Sequence, residues 1–397
     1  MKITWYSNAP WCPTGYGQQT ALTVPKIAAD GHDVWIAANH GLQGTATGWN
    51  GIPVMPAGLD QYSNDIAPAH HSAHLGRDDG WLITLYDTWV LRPDQFDTFN
   101  LASWAPVDHY PVPPLVAKWC SSHPTIAMSR FGERALSESG IASTYIPHAI
   151  SLEDFRPTED IDGRSFRDII GVPQDAFLVA INANNQGVQP PRKAWSEMFG
   201  AASVLMTKHR DVFLYVHAGQ MGAPGVTLPV LAQAWGIPTD RLRFVSAYDY
   251  RAGRLPPSYL AAMYTASDVL LATSMGEGFG IPVIEAQACG LPVIVSDATA
   301  QPELVGGGWL ARVQPEWNEG MASFLFRPIV SDIASKLEQA YGARGDTSIR
   351  RLAIEKAAEY DIERIYPLHW RPFLSTLESK FDQRPRAQRR AERRKKR

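Results

Sequence analysis

Cysteine is scarce: Cys12, Cys120 and Cys289 are the only three in 397 residues. An odd number without C-x-x-C spacing excludes a disulfide framework and offers zinc no thiolate cluster, so a reducing, cytoplasmic setting is expected and no metal or other cofactor. No stretch approaches the roughly 18 apolar residues that span a bilayer, and the opening M-K-I-T-W-Y-S-N-A-P lacks the apolar region of a signal peptide. Charge is also in short supply, at 19% of residues and a net −3. Nine Lys/Arg against Glu392 place +8 on Arg384 to Arg397, which leaves −11 on the rest. An acidic body argues against nucleic acid as a partner, while the basic tail is the segment able to touch an anionic surface.

What is present is an ordinary apolar content, 45%, in a chain too long for one core. At roughly 100–200 residues per domain, two domains and a cleft between them are expected. Residues 2–7 read as a strand. The loop holding Pro10, Pro13, Gly15 and Gly17 precedes a helix over Gln18 to Asp30, and further strands fall at His32–Ala38, Trp81–Tyr86, Leu101–Ala105 and Thr125–Met128. The alternation breaks in I-P-H-A-I-S-L-E-D-F-R-P and restarts at Phe177. It continues through strands at Val212–His217, Leu242–Phe244, Val269–Ala272 and Pro292–Val295, with helices at Lys193–Lys208, Pro229–Trp235 and Pro256–Ala266. The pattern predicts an α/β protein of two Rossmann-like, doubly wound domains facing a cleft. Residues 1–150 form the acceptor-side domain and 151–365 the nucleotide-sugar domain. A kinked helix at 366–382, interrupted by Pro367 and Pro372, crosses back, and 383–397 form a disordered basic tail.

The most informative stretch is Ser274 to Asp297, S-M-G-E-G-F-G-I-P-V-I-E-A-Q-A-C-G-L-P-V-I-V-S-D. Gly276, Gly278 and Gly280 let backbone approach a ligand, and the helix that opens near Pro282 presents free N–H groups to an anion. Glu277 lies in the glycine loop and Glu285 about one turn inside the helix. A carboxylate can accept two hydrogen bonds from a vicinal diol, so Glu285 suits a ribose and Glu277 the hydroxyls of a donor sugar. A glycine-rich turn with solvent-facing glutamates is the alternative.

The text E-G-F-G-I-P-V-I-E-A-x-A-x-G-x-P-V resembles the E-x7-E signature of retaining glycosyltransferases of the GT-B fold, family GT4 in particular. T-I-A-M-S-R-F-G-E-R-A-L, the linker, and Leu260 to Ala272 extend the resemblance, whereas the tail and residues about 40–80 have no counterpart. The resemblance implies that a nucleotide-diphosphate sugar is the partner, with Gly278, Phe279, Gly280, Ile281 and Glu285 on the donor. Lys193, in N-A-N-N-Q-G-V-Q-P-P-R-K-A-W, matches the family lysine on the diphosphate; the usual arginine position holds Asn184 or Asn185, and Arg192 substitutes. Ammonium and guanidinium can neutralise the leaving group without a metal.

P-T-G-Y-G-Q-Q-T resembles the glycine loop that closes over donor phosphates, which places Gly15, Tyr16 and Gly17 there; a tight structural turn is the other reading. Asp108 and His109, in W-A-P-V-D-H-Y-P-V-P at a strand end, mark the acceptor side, with His109 similar in place to the family histidine and Asp108 its orienting group. His148, Asp87 and Glu303 are further candidates, each equally able to cap or bond locally. Trp5, Trp11, Trp89 and Trp104 could stack on a sugar, although core packing suits most tryptophans better.

The expected activity is therefore transfer of a sugar, with Glu277, Asp108 and His109 as catalytic residues, to an acceptor the sequence leaves unnamed. A nucleotide-sugar epimerase and a non-catalytic nucleotide-binding module are the rivals. D-H-Y-P-V-P and N-Q-G-V-Q-P-P-R-K-A-W resemble a divergent, phage-associated branch, for which a virion protein is one conceivable acceptor.

Overall fold

The computed structural model describes residues 1–187, 191–221 and 225–382. The basic tail expected at 383–397 lies outside the described residues. Strands β1 (Lys2–Ser7), β2 (Asp33–Ala38), β3 (Thr47–Trp49), β4 (Ile52–Met55), β5 (Gly80–Leu85), β6 (Leu101–Ala105), β7 (Thr125–Ala127) and β8 (Ser143–Tyr145) build one sheet. Their order is β3-β4-β2-β1-β5-β6-β7-β8, parallel apart from β3 against β4. A short ribbon of β9 (Asp160–Ile161) and β10 (Arg164–Ser165) follows the linker. The second sheet takes β11 (Phe177–Asn182), β12 (Val212–His217), β13 (Leu242–Phe244), β14 (Val269–Ala272), β15 (Val293–Ser296) and β16 (Gly308–Ala311) in the order β13-β12-β11-β14-β15-β16, all parallel.

Strands such as β5 and β6, buried along their whole length, show why the sequence reads as apolar runs rather than alternation: helices cover both faces of a parallel sheet. Both sheets are the Rossmann-like units expected. In each, the order reverses beside the first strand, and the clefts that such reversals create open at the C-terminal strand ends.

Several strands escaped the sequence reading, β16 and the β9–β10 ribbon among them. The β3–β4 hairpin and the three-residue strand β8 sit at the two edges of the first sheet. The antiparallel hairpin β17 (Val313–Asn318) and β18 (Ser323–Pro328) leaves the second sheet altogether. The first helix also starts earlier than expected, at Gly15 rather than Gln18, because Thr14 caps it by accepting the Gly17 amide at 3.1 Å.

The chain returns to the first sheet at its end. Ile150 and the segment around Tyr360 exchange two backbone hydrogen bonds, Ile150 N–H to the Tyr360 carbonyl at 3.0 Å and Ile362 N–H to the Ile150 carbonyl at 2.9 Å. The break at Pro367 is a turn of π-helix, Tyr366–Trp370, that leads into the last helix, Arg371–Asp382. Trp370 is fully buried against Trp5 and Trp104, and Trp81 donates to the Leu377 carbonyl at 3.2 Å. One apolar cluster runs unbroken from Ile83 and Ile126 through Ile146 and Ile150 to Ile284. The two sheets are thus joined by packed side chains at the linker as well as by the chain.

Candidate active site

Loops at the C-terminal ends of β5 and β6 carry Asp87, Asp108 and His109, and those after β11 and β14 carry Arg192, Lys193 and Glu277. The structure brings these six together. Lys193 Nζ pairs with Glu277 Oε1, and Arg192 Nη1 reaches Glu277 Oε2 at 3.0 Å and also donates to the Gly276 carbonyl. Arg192 Nε stands 3.7 Å from Asp108 Oδ2, which ties the second sheet's cation to the first sheet's acid. Asp108 Oδ1 lies 2.6 Å from His109 Nδ1. Asp87 Oδ2 receives the Tyr16 hydroxyl at 3.4 Å.

Electrostatics in this knot follow from burial against pairing. Burial alone would raise the Glu277 carboxyl, but Lys193 and Arg192 outweigh it and hold the group at about 2. At Asp87 burial, then Asp108 beside it, outweigh Arg192 and the Tyr16 hydroxyl and lift the carboxyl to about 6. Burial lowers Lys193, and Glu277 restores only part of the loss. A polyanion entering the cleft would therefore meet two cations, Lys193 largely buried and Arg192 partly exposed, whose release from Glu277 would free that carboxylate for another hydrogen-bond donor.

Glu285 is 2% exposed, in the helix Ile281–Ala288. Its Oε2 accepts the Tyr264 hydroxyl at 2.9 Å, and Tyr264 in turn receives Asn182 Nδ2 at 2.7 Å, a relay the sequence did not announce. Its Oε1 is buried and accepts no hydrogen bond of ordinary length among the described residues, although the Gln18 side chain stands near enough to favour the ionised carboxylate. Burial lifts this carboxyl to about 7, against smaller opposing contributions from Tyr264 and Gln18. A buried acceptor without a donor costs free energy unless something outside the protein supplies one.

The glycines do something other than expected. A β-carbon on Gly276 would lie 2.1 Å from the Asp108 carbonyl oxygen, and one on Gly278 would lie 2.8 Å from Pro106 Cβ. Their bareness lets the loop pack onto the opposing sheet's loop rather than leaving space for a ligand. Gly17 is filled by its own loop, with the Cys12 carbonyl 2.3 Å from a notional β-carbon, so close backbone packing explains it. Gly15, Tyr16 and Gly17 form the first helical turn, not a free loop, and Gly15 faces Ile281 Cδ1 at 3.1 Å from such a carbon. The starts of two helices, Gly15–Ala29 and Ile281–Ala288, thereby meet across the junction with their positive ends together. Pro282 has no N–H and the Val283 amide turns back to the Gly280 carbonyl at 3.0 Å, so fewer amides than expected face an anion.

Other residues fall into structural roles. Phe279 is buried edge-to-face against His148 and Tyr360. His148 is buried with Nδ1 unpartnered among the described residues, and burial pushes it down to about 3, so it stays neutral. Asn185 is pinned by the Gly219 and Val226 backbone. Lys193 does not open the helix, which begins at Trp195 after Ala194 in a left-handed conformation. Glu303 accepts the Arg130 and Phe131 amides at 2.9 Å each, capping the helix Arg130–Glu138 of the other sheet. Trp5 and Trp104 are core; Trp11 and Trp89 are half exposed.

Two Rossmann-like sheets that face one another across paired cations and acids at their C-terminal strand ends define a GT-B architecture. Residues 251–313 match the family model described as Glycosyl transferases group 1. D-inositol 3-phosphate glycosyltransferase 2 of Catenulispora acidiphila is 32% identical over 167 residues, 40% of this chain and 35% of that protein. O-antigen chain mannosyltransferase B of Escherichia coli is 31% identical over 156 residues, 39% of each chain. These matches span well under half the length of either relative. Among solved structures, sucrose-phosphate synthase from Thermosynechococcus elongatus superposes on 96% of this chain and 98% of its own, with TM-score 0.67 and 18% identity. Anabaena HepE in complex with UDP and glucose does so over 96% and 100%, with TM-score 0.63 and 17% identity.

Proposed function

We propose that the protein is a glycosyltransferase that moves a sugar from a nucleotide-diphosphate donor to an acceptor hydroxyl with retention of configuration. The observation that carries this reading is the buried Glu285, whose Oε1 accepts no hydrogen bond of ordinary length and has only Gln18 near it, eight residues beyond a Glu277 already gripped by two cations. A ribose diol supplies the donors Glu285 lacks. A diphosphate draws Lys193 and Arg192 away from Glu277, and Glu277 then accepts hydrogen bonds from the donor sugar. Asp108 and His109 face the acceptor. The acceptor oxygen bonds to the anomeric carbon as the bond to the diphosphate breaks, on the same face, and the acceptor proton passes to a departing phosphate oxygen. UDP in Anabaena HepE and UDP-2-fluoro glucose in an Escherichia coli neighbour support a nucleotide-sugar donor. Two protein cations replace a divalent ion in this scheme, and the cytoplasm is the compartment that holds such donors.

Calorimetry against UDP-, GDP-, ADP- and dTDP-sugars tests the reading, followed by product analysis with and without a panel of glycan, small-molecule and protein acceptors. One donor should bind, and Glu285→Ala should weaken it by about 1–3 kcal/mol. Binding that is equal in wild type and Glu285→Ala removes Glu285 from the site. Conversion of donor without acceptor to an isomeric nucleotide sugar makes the protein an epimerase instead.

A further inference from the structure

His109 belongs to the first sheet's loop, yet its second ring nitrogen is held by the hairpin of the second. Asn318 Nδ2 lies 3.2 Å from His109 Nε2. The amide's orientation is fixed independently, because Asn318 Oδ1 accepts the Gly320 N–H at 3.1 Å, which leaves the NH2 end to face the imidazole. A ring nitrogen that receives an N–H must present its lone pair. The proton therefore sits on Nδ1, where Asp108 Oδ1 takes it at 2.6 Å.

The hairpin is strapped onto the first sheet's loop by more than this contact. Tyr110 and Phe324 exchange both backbone hydrogen bonds at 3.1 Å, Ser323 donates to the Pro111 carbonyl, and Phe326 N–H bonds the Met275 carbonyl at 2.8 Å. Leu325 covers the bare face of Gly276. Alternation along β17 and β18 turns Asn318, Ser323 and Leu325 inward, whereas Trp317 and Phe324 pair on the outer face at 5.0 Å. Every one of the inward contacts joins the two sides of the cleft or lies beside that joint.

We propose that Asn318 is a positioning residue that locks His109 in the neutral, Nδ1-protonated tautomer when the hairpin docks, so that the lone pair of Nε2 is already spent on an amide. The proposal rests on the reading of the cleft as a glycosyl-transfer site. It makes His109 a neutral, oriented wall of that site and not a general base, and couples its state to the docking of the hairpin. A carboxylate in place of the amide would accept where the amide donates, and would draw a second proton onto the ring.

Nitrogen-15 histidine spectra of the full ligand-free protein test it, with His109 assigned by the signal lost in His109→Gln. Wild type should show one protonated nitrogen, Nδ1, and one bare nitrogen. Asn318→Ala should shift the ring toward a mixture of tautomers, and Asn318→Asp should protonate both nitrogens at neutral pH. Gln314→Ala, an exposed residue at the far end of the same hairpin, should leave the pattern as in wild type. In transfer assays Asn318→Asp should lower kcat about tenfold or more with little change in donor KM. A wild-type proton on Nε2, or spectra indifferent to Asn318, overturns the proposal whether or not transfer is found. The wild-type and variant spectra as stated, in a protein that binds no nucleotide sugar, would leave the lock standing and sink the transferase reading.

Discussion

Gly276 and Asp108 meet so closely across the cleft that a β-carbon on the first would lie 2.1 Å from the carbonyl oxygen of the second. The obstacle is backbone on both sides, so neither can move aside alone. Gly276→Ala should prop the two sheets apart by about 1 Å at this contact while each folds normally. A displacement near 1 Å at a reacting centre costs about a hundredfold in rate. Steady-state kinetics should show that loss in kcat, and small-angle scattering a slightly larger particle; wild-type turnover would show that this contact is not needed for catalysis.

The contact also shows how far the sequence could be read. Strands β6, β12 and β14 fall where apolar runs place them, because parallel strands buried on both faces leave a direct compositional trace. Glu277 and Glu285 could be picked out because hydroxyl recognition suits carboxylates in and just after a glycine loop, and Lys193 and Arg192 only because their segment resembles the family's diphosphate-binding stretch. What the glycines are for was not legible: Gly276 and Gly278 answer to Asp108 and Pro106, some 170 residues away, and no local spacing encodes that approach. Asn318 escaped for a related reason. Its hairpin carries a turn and an alternating pattern, W-N-E-G-M-A-S-F, but only the tertiary fold puts it against His109. Tyr264 and Asn182 are likewise ordinary in sequence and become a relay only when β11 and the helix Pro257–Ala266 pack together.

Glu303 spans the sheets differently, by satisfying two amides at the start of the helix Arg130–Glu138 while Ser129 satisfies a third. Helix caps of this kind contribute about 0.5–2 kcal/mol. Glu303→Ala should therefore lower stability by about that amount in chemical denaturation, and Glu303→Gln, which keeps one acceptor oxygen, by less. Equal midpoints for wild type and Glu303→Ala would deny the cap any energetic weight.

Lys193 and Arg192 together outweigh burial at Glu277, and the same pair is expected to neutralise the departing diphosphate. Transfer should accordingly continue in excess EDTA. Lys193→Ala should reduce kcat/KM by a hundredfold or so, the scale for losing one preorganised charge at a developing anion. Complete loss of wild-type transfer on chelation, restored by magnesium or manganese, would assign that duty to a metal.

The pH response of Glu285 has opposite signs in stability and in binding. Its folded pKa of about 7 lies above the ordinary 4.5, so folding favours the protonated carboxyl. That contribution is complete below pH 4.5 and is lost as pH rises through 7, an effect on the order of 3 kcal/mol at this degree of burial. Asp87, raised to about 6, adds a smaller loss of the same sign that ends about one unit earlier. Burial holds His148 and His217 well below the ordinary imidazole value, so they add stability over part of the same range, and the Glu285 effect is read as a difference: the melting temperature of wild type relative to Glu285→Gln should fall as pH rises from about 4.5 to about 7. Donor binding runs the other way, since a ribose diol donates to the ionised carboxylate. Affinity should rise over the same interval in wild type and stay nearly flat in Glu285→Gln. Calorimetry in buffers of different ionisation enthalpy would register the proton released as donor binds, and no release at pH 6.5 would mean that Glu285 does not meet the donor as an anion.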